Sequence, residues 1–538
     1  MKIGQRFYPF KIPPRSIAFV KRHLFLTSIL LTAFFIRIYL FQYRSMPEGD
    51  GCHYVSFAKD FMRGEFSTVG TYWSIGWPGL IALFSLIFKN VEFVGRLLST
   101  FAGVALIAVS HFFVKKLFSK RIAHYVALLL ATNFSLISYS TLLFTESLYC
   151  LLVVLIALFG WISLERKRIS YYFLLGLILG FSYTVRNESL AFIVLFLPMI
   201  IIRNYKKAFI NILFLFLGII IFILPMVLFY HNQFGCWTLG AKGTVNFLYG
   251  EECNVSYSYR KLSELTEDFG EPIYLRQLRY KFGHTNFFVF LSENKIFSRV
   301  LLNIKRLFLY LPNQFFSIPF IGKPISLFFF IFGSFACLIK NKLRLKRYFY
   351  LLLFPSLSFI LVSLCFMEER KVVPFIPFYL FVICVGIHYL ERLSHSKIIK
   401  GIYISILISI FIISAVTAFD KAKVDGIGLE HKLMKEAGLW MRKNLSQSEK
   451  VVVQEPYLPY FFYENTPNNF SGLMYFNDCE TLIRYMRARE AEYLAIFSCT
   501  SHMNPVVDYL FKNRQVKGLE LLKLIKKDDQ EILIYQLK

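Results

Sequence analysis

Charge is scarce in this chain. Only 18% of its 538 residues are Asp, Glu, Lys or Arg, against about 25% in soluble proteins. Its 61 phenylalanines and 32 tyrosines exceed what one water-soluble core encloses, since such cores stop growing near roughly 250–300 residues. An ordinary cytosolic enzyme is thereby excluded. Internal repeats and low-complexity tracts are absent too. The nine cysteines form no CxxC pair and no metal-ligand spacing. No cofactor is expected, and a divalent metal has no ligand motif behind it.

What the chain does have is long apolar runs, with a mean hydropathy of +0.51. Runs such as 24–36 and 351–367 need lipid around them. Lys and Arg outnumber Asp and Glu by 61 to 34, a net charge of +27. A surface built for nucleic acid would gather this charge into one patch. Here it sits in short clusters between apolar runs, the pattern of membrane orientation. Membrane lipids are the expected partners and nucleic acid is not.

Eleven spans are expected, at 24–41, 92–113, 122–141, 145–164, 171–185, 189–202, 208–230, 318–339, 348–366, 372–390 and 401–419. The segments 1–23, 115–121, 165–168, 203–207, 340–347 and 391–397 are rich in Lys and Arg and alternate with acidic or nearly uncharged loops. This places the N-terminus in the cytoplasm and the C-terminus outside. The fold class is an α-helical polytopic membrane protein (24–419) with a small C-terminal α/β soluble domain (420–538). Outside the cytoplasm lie a first loop, 42–91, and a long loop, 231–317. Within the first loop, 77–88 reads as an amphipathic helix in the interface. In the C-terminal domain a helix is expected at 430–444, a strand at 451–454, helices at 480–490 and 504–513, and strands at 493–497 and on both sides of a KKDDQ turn. Cys150, Cys337, Cys365 and Cys384 read as small buried hydrophobes, while Cys236, Cys253, Cys479 and Cys499 lie where disulfides are allowed.

Ionisable side chains inside spans are functional candidates by default. Here nearly all lie at the non-cytoplasmic ends: Arg37, Arg96, Glu146, Arg186 with Glu188, and Glu368, Glu369, Arg370 and Lys371 between two spans. Each also reads as a snorkelling group or a structural ion pair. A coupled transporter needs charged or broken-helix sites near the midplane. An enzyme meeting a lipid-borne substrate needs acids and bases at one surface, and the sequence fits the second. Asp50 stands out because Glu48, His53, Tyr54 and Trp73 share its loop. Asp60, further along the same helix, reads as a solvated face residue.

Glu48-Gly49-Asp50-Gly51-Cys52-His53-Tyr54, continuing through Ala58, resembles the first-loop pattern D-x-x-x-Y-x-x-x-A of GT-C glycosyltransferases. The likeness is to the dolichyl-phosphate-mannose protein mannosyltransferase superfamily, with its lipid A aminoarabinose transferases and lipopolysaccharide galacturonosyltransferases. Trp77-Pro78-Gly79, Gly95-Arg96-Leu97-Leu98, Thr145-Glu146-Ser147 and Tyr183-Thr184-Val185-Arg186-Asn187-Glu188 resemble further elements in the same order. So do Gly243-x-x-Asn246 with Tyr249-Gly250, and Arg370 with Pro374 and Pro377. Where relatives often carry Lys or Arg before the P-G step, this chain has Gly76-Trp77.

The resemblance implies a GT-C fold and transfer of a hexose or pentose from a polyprenyl-phosphate donor. The acceptor would be a lipid, glycan or protein at the periplasmic face of a bacterial inner membrane. It implies Asp50 as catalytic base and Arg186, Arg370 and Lys371 as donor-phosphate ligands. Glu48, His53, Tyr54, Arg96, Glu146, Glu188, Asn246 and Tyr249 are the further substrate-contact candidates. The alternatives are a membrane glycan polymerase or ligase, and a lipid or solute transporter. The C-terminal domain, which has no catalytic cluster of its own, either caps the catalytic face or is a stabilising appendage.

Overall fold

The computed structural model describes residues 14–44, 46–47, 49–66, 74–234, 237, 239, 301, 322–339, 342–364, 369–393, positions scattered through 405–420, and 429–453, 457–463, 470–473, 476, 478–498 and 504–538. The described residues of each expected span from 24–41 to 372–390 are mostly helical. The last, 401–419, lies largely outside the described residues.

The membrane part runs α1 (Pro14–Leu40), α2 (Asp50–Arg63), α3 (Gly76–Phe88), α4 (Val91–Leu117), α5 (Lys120–Thr132), α6 (Phe134–Tyr139), α7 (Glu146–Arg166), α8 (Ile169–Val185), α9 (Phe192–Arg203), α10 (Ala208–Phe234), α11 (Gly322–Ile339), α12 (Lys342–Leu364) and α13 (Ile376–Leu393). Among the described residues, five helical segments are each long and apolar enough to cross a bilayer: Leu24–Tyr43, Val91–Leu117, Glu146–Arg166, Tyr205–Asn232 and Arg370–Leu393. The protein is a multi-pass membrane protein.

Local chemistry sets the helix ends. Asn90, Ser119 and Asn133 cap α4, α5 and α6, each side chain accepting a first-turn N–H, a contact worth about 1 kcal/mol. The Asn133 cap divides the expected span 122–141 into two helices. α2 stops at Gly64, whose φ of +77° favours glycine. Within the bundle, α8 and α10 touch backbone to backbone. A Cβ on Gly176 would lie 2.1 Å from the Leu215 carbonyl, and one on Gly218 would lie 2.4 Å from that of Phe173. Small residues permit this approach where lipid offers no hydrophobic drive.

α3 differs from the amphipathic helix expected at 77–88. Trp77, Pro78, Ile81 and Ala82 pack inward, but Leu83, Leu86 and Ile87 on the other side are exposed and apolar. It is apolar all round, as contact with lipid on the outer side requires.

The C-terminal domain holds α14 (Leu429–Asn444), β1 (Lys450–Val453), α15 (Tyr457–Tyr463), β2 (Phe470–Gly472), α16 (Cys479–Ala488), β3 (Ala491–Phe497), α17 (Pro505–Lys512), β4 (Leu519–Lys527) and β5 (Gln530–Leu537). The sheet order is β2-β1-β3-β5-β4. β1 pairs parallel with β2 and β3, and β5 runs antiparallel to β3 and β4. Helices cover both faces, so β3 is almost continuously apolar. Leu494 and Ile496 meet α16 and α17, while Tyr493, Ala495 and Phe497 meet α14 and α15. The strand β2 and the helix α15 have no counterpart in the sequence reading. Cys150, Cys337 and Cys384 are buried, Cys479 is a free thiol, and Cys236, Cys253, Cys365 and Cys499 lie outside the described residues.

Candidate active site

A turn at 141–145 delivers Glu146 to the start of α7, and several groups clamp that turn. Trp77 Nε1 donates to the Leu143 carbonyl at 3.0 Å. Arg96 donates to the carbonyls of Thr141 at 2.8 Å and Met46 at 2.7 Å. Arg44 reaches the Thr141 hydroxyl at 3.2 Å. The helices α2 and α4 come so close that a Cβ on Gly51 or Gly95 would press on the Leu143 side chain at 2.9 or 2.4 Å. The Gly76 position is equally tight against the end of α8, since a Cβ there would sit 2.2 Å from the Thr184 hydroxyl. That contact fixes the end of α8, next to Arg186.

On this frame carboxylates and guanidinium groups alternate. Asp50, at the start of α2, accepts from Arg370. Arg370 Nε lies 3.0 Å from Glu146 Oε1. Arg186, capping α8, places Nη1 3.3 Å from the same Glu146 oxygen and Nη2 3.5 Å from Glu188. Glu146 is fully buried, whereas Asp50 keeps 16% and Glu188 41% of its side chain exposed. A buried carboxylate needs cationic partners to offset a desolvation cost of several kcal/mol, and Glu146 has two. Its Oε2 makes no hydrogen bond among the described residues. Arg186 also lies over the Tyr149 ring at 5.1 Å and Arg370 over Phe144 at 5.2 Å, distances suited to cation–π attraction.

Tyr54 is buried one turn after Asp50. Burial, and then the Asp50 charge, pushes its hydroxyl above the usual tyrosine range. It therefore stays protonated, a hydrogen-bond donor rather than a base. His53 is half-buried, its ring 6.2 Å from that of Phe57. Lys371 follows Arg370 in the turn Glu369–Val372 and is half-buried.

Among the sequence candidates, Asp50, Arg370, Glu146, Arg186 and Glu188 therefore meet. Arg96 stands instead under the frame, buried against two backbone carbonyls. Glu48, Asn246, Tyr249, Glu368 and Trp73 lie outside the described residues. Asp60 is a correction: it is buried on α2 rather than solvated, because α2 packs against both α3 and α4. The sequence reading missed Phe144 and Tyr149 as arginine platforms. The spacing of Glu146 and Tyr149 on α7, three apart and so on one face, was the available signal. Among the described residues no group of three or more His, Cys, Asp or Glu side chains could hold a metal ion.

A second junction lies beside the site. Tyr460 on α15 packs into the core of the membrane part, and its hydroxyl donates to Glu92 in the first turn of α4. Lys59 on α2 lies 5.3 Å from the Tyr460 ring. Burial, with Glu92 alongside, holds the Tyr460 hydroxyl well above the usual tyrosine range, so it remains a donor. The C-terminal domain is thus hydrogen-bonded to α4 and touches, through Lys59, the helix α2 that carries Asp50.

Residues 75–230 match the family model of dolichyl-phosphate-mannose-protein mannosyltransferases. The apo crystal structure of ArnT from Cupriavidus metallidurans superposes with a TM-score of 0.58, covering 96% of this chain and 98% of that one at 10% identity. This is a GT-C glycosyltransferase fold. ArnT of the same organism bound to undecaprenyl phosphate is similar at TM-score 0.57 and 9% identity, over 96% of this chain and 98% of that one. The apo oligosaccharyltransferase of Archaeoglobus fulgidus is similar at TM-score 0.61 and 11% identity, over 88% of this chain and 70% of that one. No curated protein matches the sequence significantly. The GT-C fold accounts for the layout seen here, with the first-loop helix α2 and the starts of α7 and α13 at one end of the bundle.

Proposed function

We propose that this GT-C protein transfers a hexose or pentose from a polyprenyl-phosphate donor to a lipid, glycan or protein acceptor. The reaction takes place on the non-cytoplasmic face of a bacterial inner membrane, with the N-terminus in the cytoplasm. One observation carries the reading: two arginines from distant helices converge on buried Glu146, with Asp50 against one of them. The binding of undecaprenyl phosphate by the structural neighbour ArnT supports the donor class.

The chemistry follows from the arrangement. The acceptor O–H or N–H gives its proton to the Asp50 carboxylate as its heteroatom bonds to the sugar C1. The C1–O bond to the donor phosphate breaks, and its electron pair leaves with the phosphate. Arg370 and Arg186 receive that charge, for which planar guanidinium forks are suited. Before donor binding, Asp50, Glu146 and Glu188 neutralise the two arginines and hold them in place. The Asp50 carboxylate would also stabilise positive charge developing at C1. Tyr54, buried beside Asp50 and protonated, is available as a donor, and Arg96 keeps the 141–145 turn in position. Glu48, His53, Asn246, Tyr249 and Lys371 complete the proposed substrate surface. The C-terminal domain, fixed by Tyr460 beside α2, caps this face and guides the acceptor.

The test is mass spectrometry of surface glycolipids, glycans and glycoproteins from a strain lacking the gene, complemented with wild type or Asp50→Asn. One sugar should vanish on deletion, return with wild type and stay absent with the variant. An unchanged profile on deletion would overturn the reading. Label carried across proteoliposomes without transfer to a new molecule would favour a transporter.

A further inference from the structure

The opposite end of the bundle carries a polar cavity of about 450 Å³. Arg370 and Arg392 lie at the two ends of one helical segment, about 30 Å apart at 1.5 Å per residue, close to the hydrocarbon thickness of a bilayer. Arg347 from α12, His388 and Arg392 from α13 and Ser119 before α5 supply the polar wall, while Ile122 and Val385 are among the apolar lining. No Asp or Glu is among the described lining residues. Glu391, adjacent in sequence to Arg392, is not itself among the lining residues; it is held by Arg121, by the Tyr125 hydroxyl at 2.9 Å and by the lining His388, whose Nδ1 lies 3.4 Å away.

Arg347 is set up rather than loose. Its Nη1 donates to the Leu117 carbonyl at 2.5 Å, which fixes the guanidinium. Its Nε is buried with no hydrogen-bond partner among the described residues. The segments 115–121, 340–347 and 391–397, read in the sequence as orientation signals, each line this one cavity, the last two through the charged side chains Arg347 and Arg392. Orientation alone asks only that such charges lie on one side of the membrane. Convergence on a cavity is an additional property.

We propose that this cavity binds the phosphate headgroup of an anionic membrane lipid from the leaflet at that face. Two arginines, with no carboxylate among the described lining residues, select a phosphate, and the fixed fork of Arg347 suits its oxygens. The apolar walls and the volume, within the roughly 300–1,000 Å³ of small-molecule sites, fit a lipid better than a bare ion. Juxtamembrane basic pockets are suited to such headgroups.

The experiment uses the full chain purified in detergent. Native mass spectrometry and thermal unfolding are read with added phosphatidylglycerol, phosphatidylcholine or inorganic phosphate. Wild type should retain phosphatidylglycerol and melt higher with it, and should respond little to the other two. Arg392→Gln, at an exposed position, should keep the lipid-free melting temperature and retain several-fold less phosphatidylglycerol. Arg347→Gln should retain less still. Arg168→Gln, an exposed loop position outside the cavity, should behave as wild type. Equal retention by Arg392→Gln and wild type, or an equal loss in Arg168→Gln, would overturn the site. Stabilisation by inorganic phosphate matching that by the lipid would overturn the choice of a lipid.

Discussion

Arg370 Nε lies 3.0 Å from Glu146 Oε1, joining the turn before α13 to the first residue of α7 inside the membrane part. Arg186 approaches the same oxygen at 3.3 Å. Glu146 is thus the hub of the charge chain, while Asp50 and Glu188 are its more accessible ends. The five side chains behave as a unit, so their substitutions should not add.

Glu146→Gln keeps the shape and removes the charge, leaving two arginines without their shared partner. Transfer should fall at least about 10²-fold. The melting temperature should also drop, since breaking a buried pair costs about 3–5 kcal/mol. Assay of membranes matched for protein amount, together with thermal unfolding, checks both. Wild-type transfer would remove Glu146 from the site.

Asp50→Asn retains size and polarity but cannot take a proton. Transfer should drop by the ~10²–10⁴ typical of a lost general base, with donor binding largely kept. Asp60→Asn is no neutral control, because Asp60 is buried. Glu65, exposed after α2, serves instead, and Glu65→Gln should transfer normally. Near-normal transfer by Asp50→Asn would shift the search for the base to Glu188.

Arg186→Lys should test geometry rather than charge. Lysine keeps the positive charge but cannot bridge Glu146 and Glu188 with a planar fork. Donor KM should rise with a smaller change in kcat, and Arg186→Ala should be worse on both counts. A kcat loss with unchanged KM would place Arg186 outside donor binding.

Tyr460→Phe deletes one hydrogen bond to a charged acceptor, worth about 1.5–3 kcal/mol, and leaves the ring in place. Hydrogen exchange in the first turns of α4 should quicken, and acceptor use should fall more than donor binding. Unchanged exchange in α4 together with normal acceptor use would separate the C-terminal domain from the site.

A reporter active only outside the cytoplasm should be active when fused after residue 425 and silent at 343. Opposite results at either point would break the proposed orientation.

The sequence by itself determined the membrane class, most of the helix positions among the described residues and the α/β character of the last segment. Those features follow from local quantities, namely apolar run length, loop charge and alternation. It also marked Asp50, Glu146, Arg186, Glu188 and Arg370 individually, because a charge at a span end is conspicuous wherever it sits. Only the tertiary structure decided which of these meet: no spacing rule links Asp50 to Arg370 across 320 residues, and only packing brings α2, α7, α8 and the start of α13 together. Packing likewise turned Arg96 and Asp60 inward, buried one side of α3 while leaving the other exposed, and set Tyr460 against Glu92. Burial and long-range contact are properties of the assembled bundle, and no stretch of chain carries them alone.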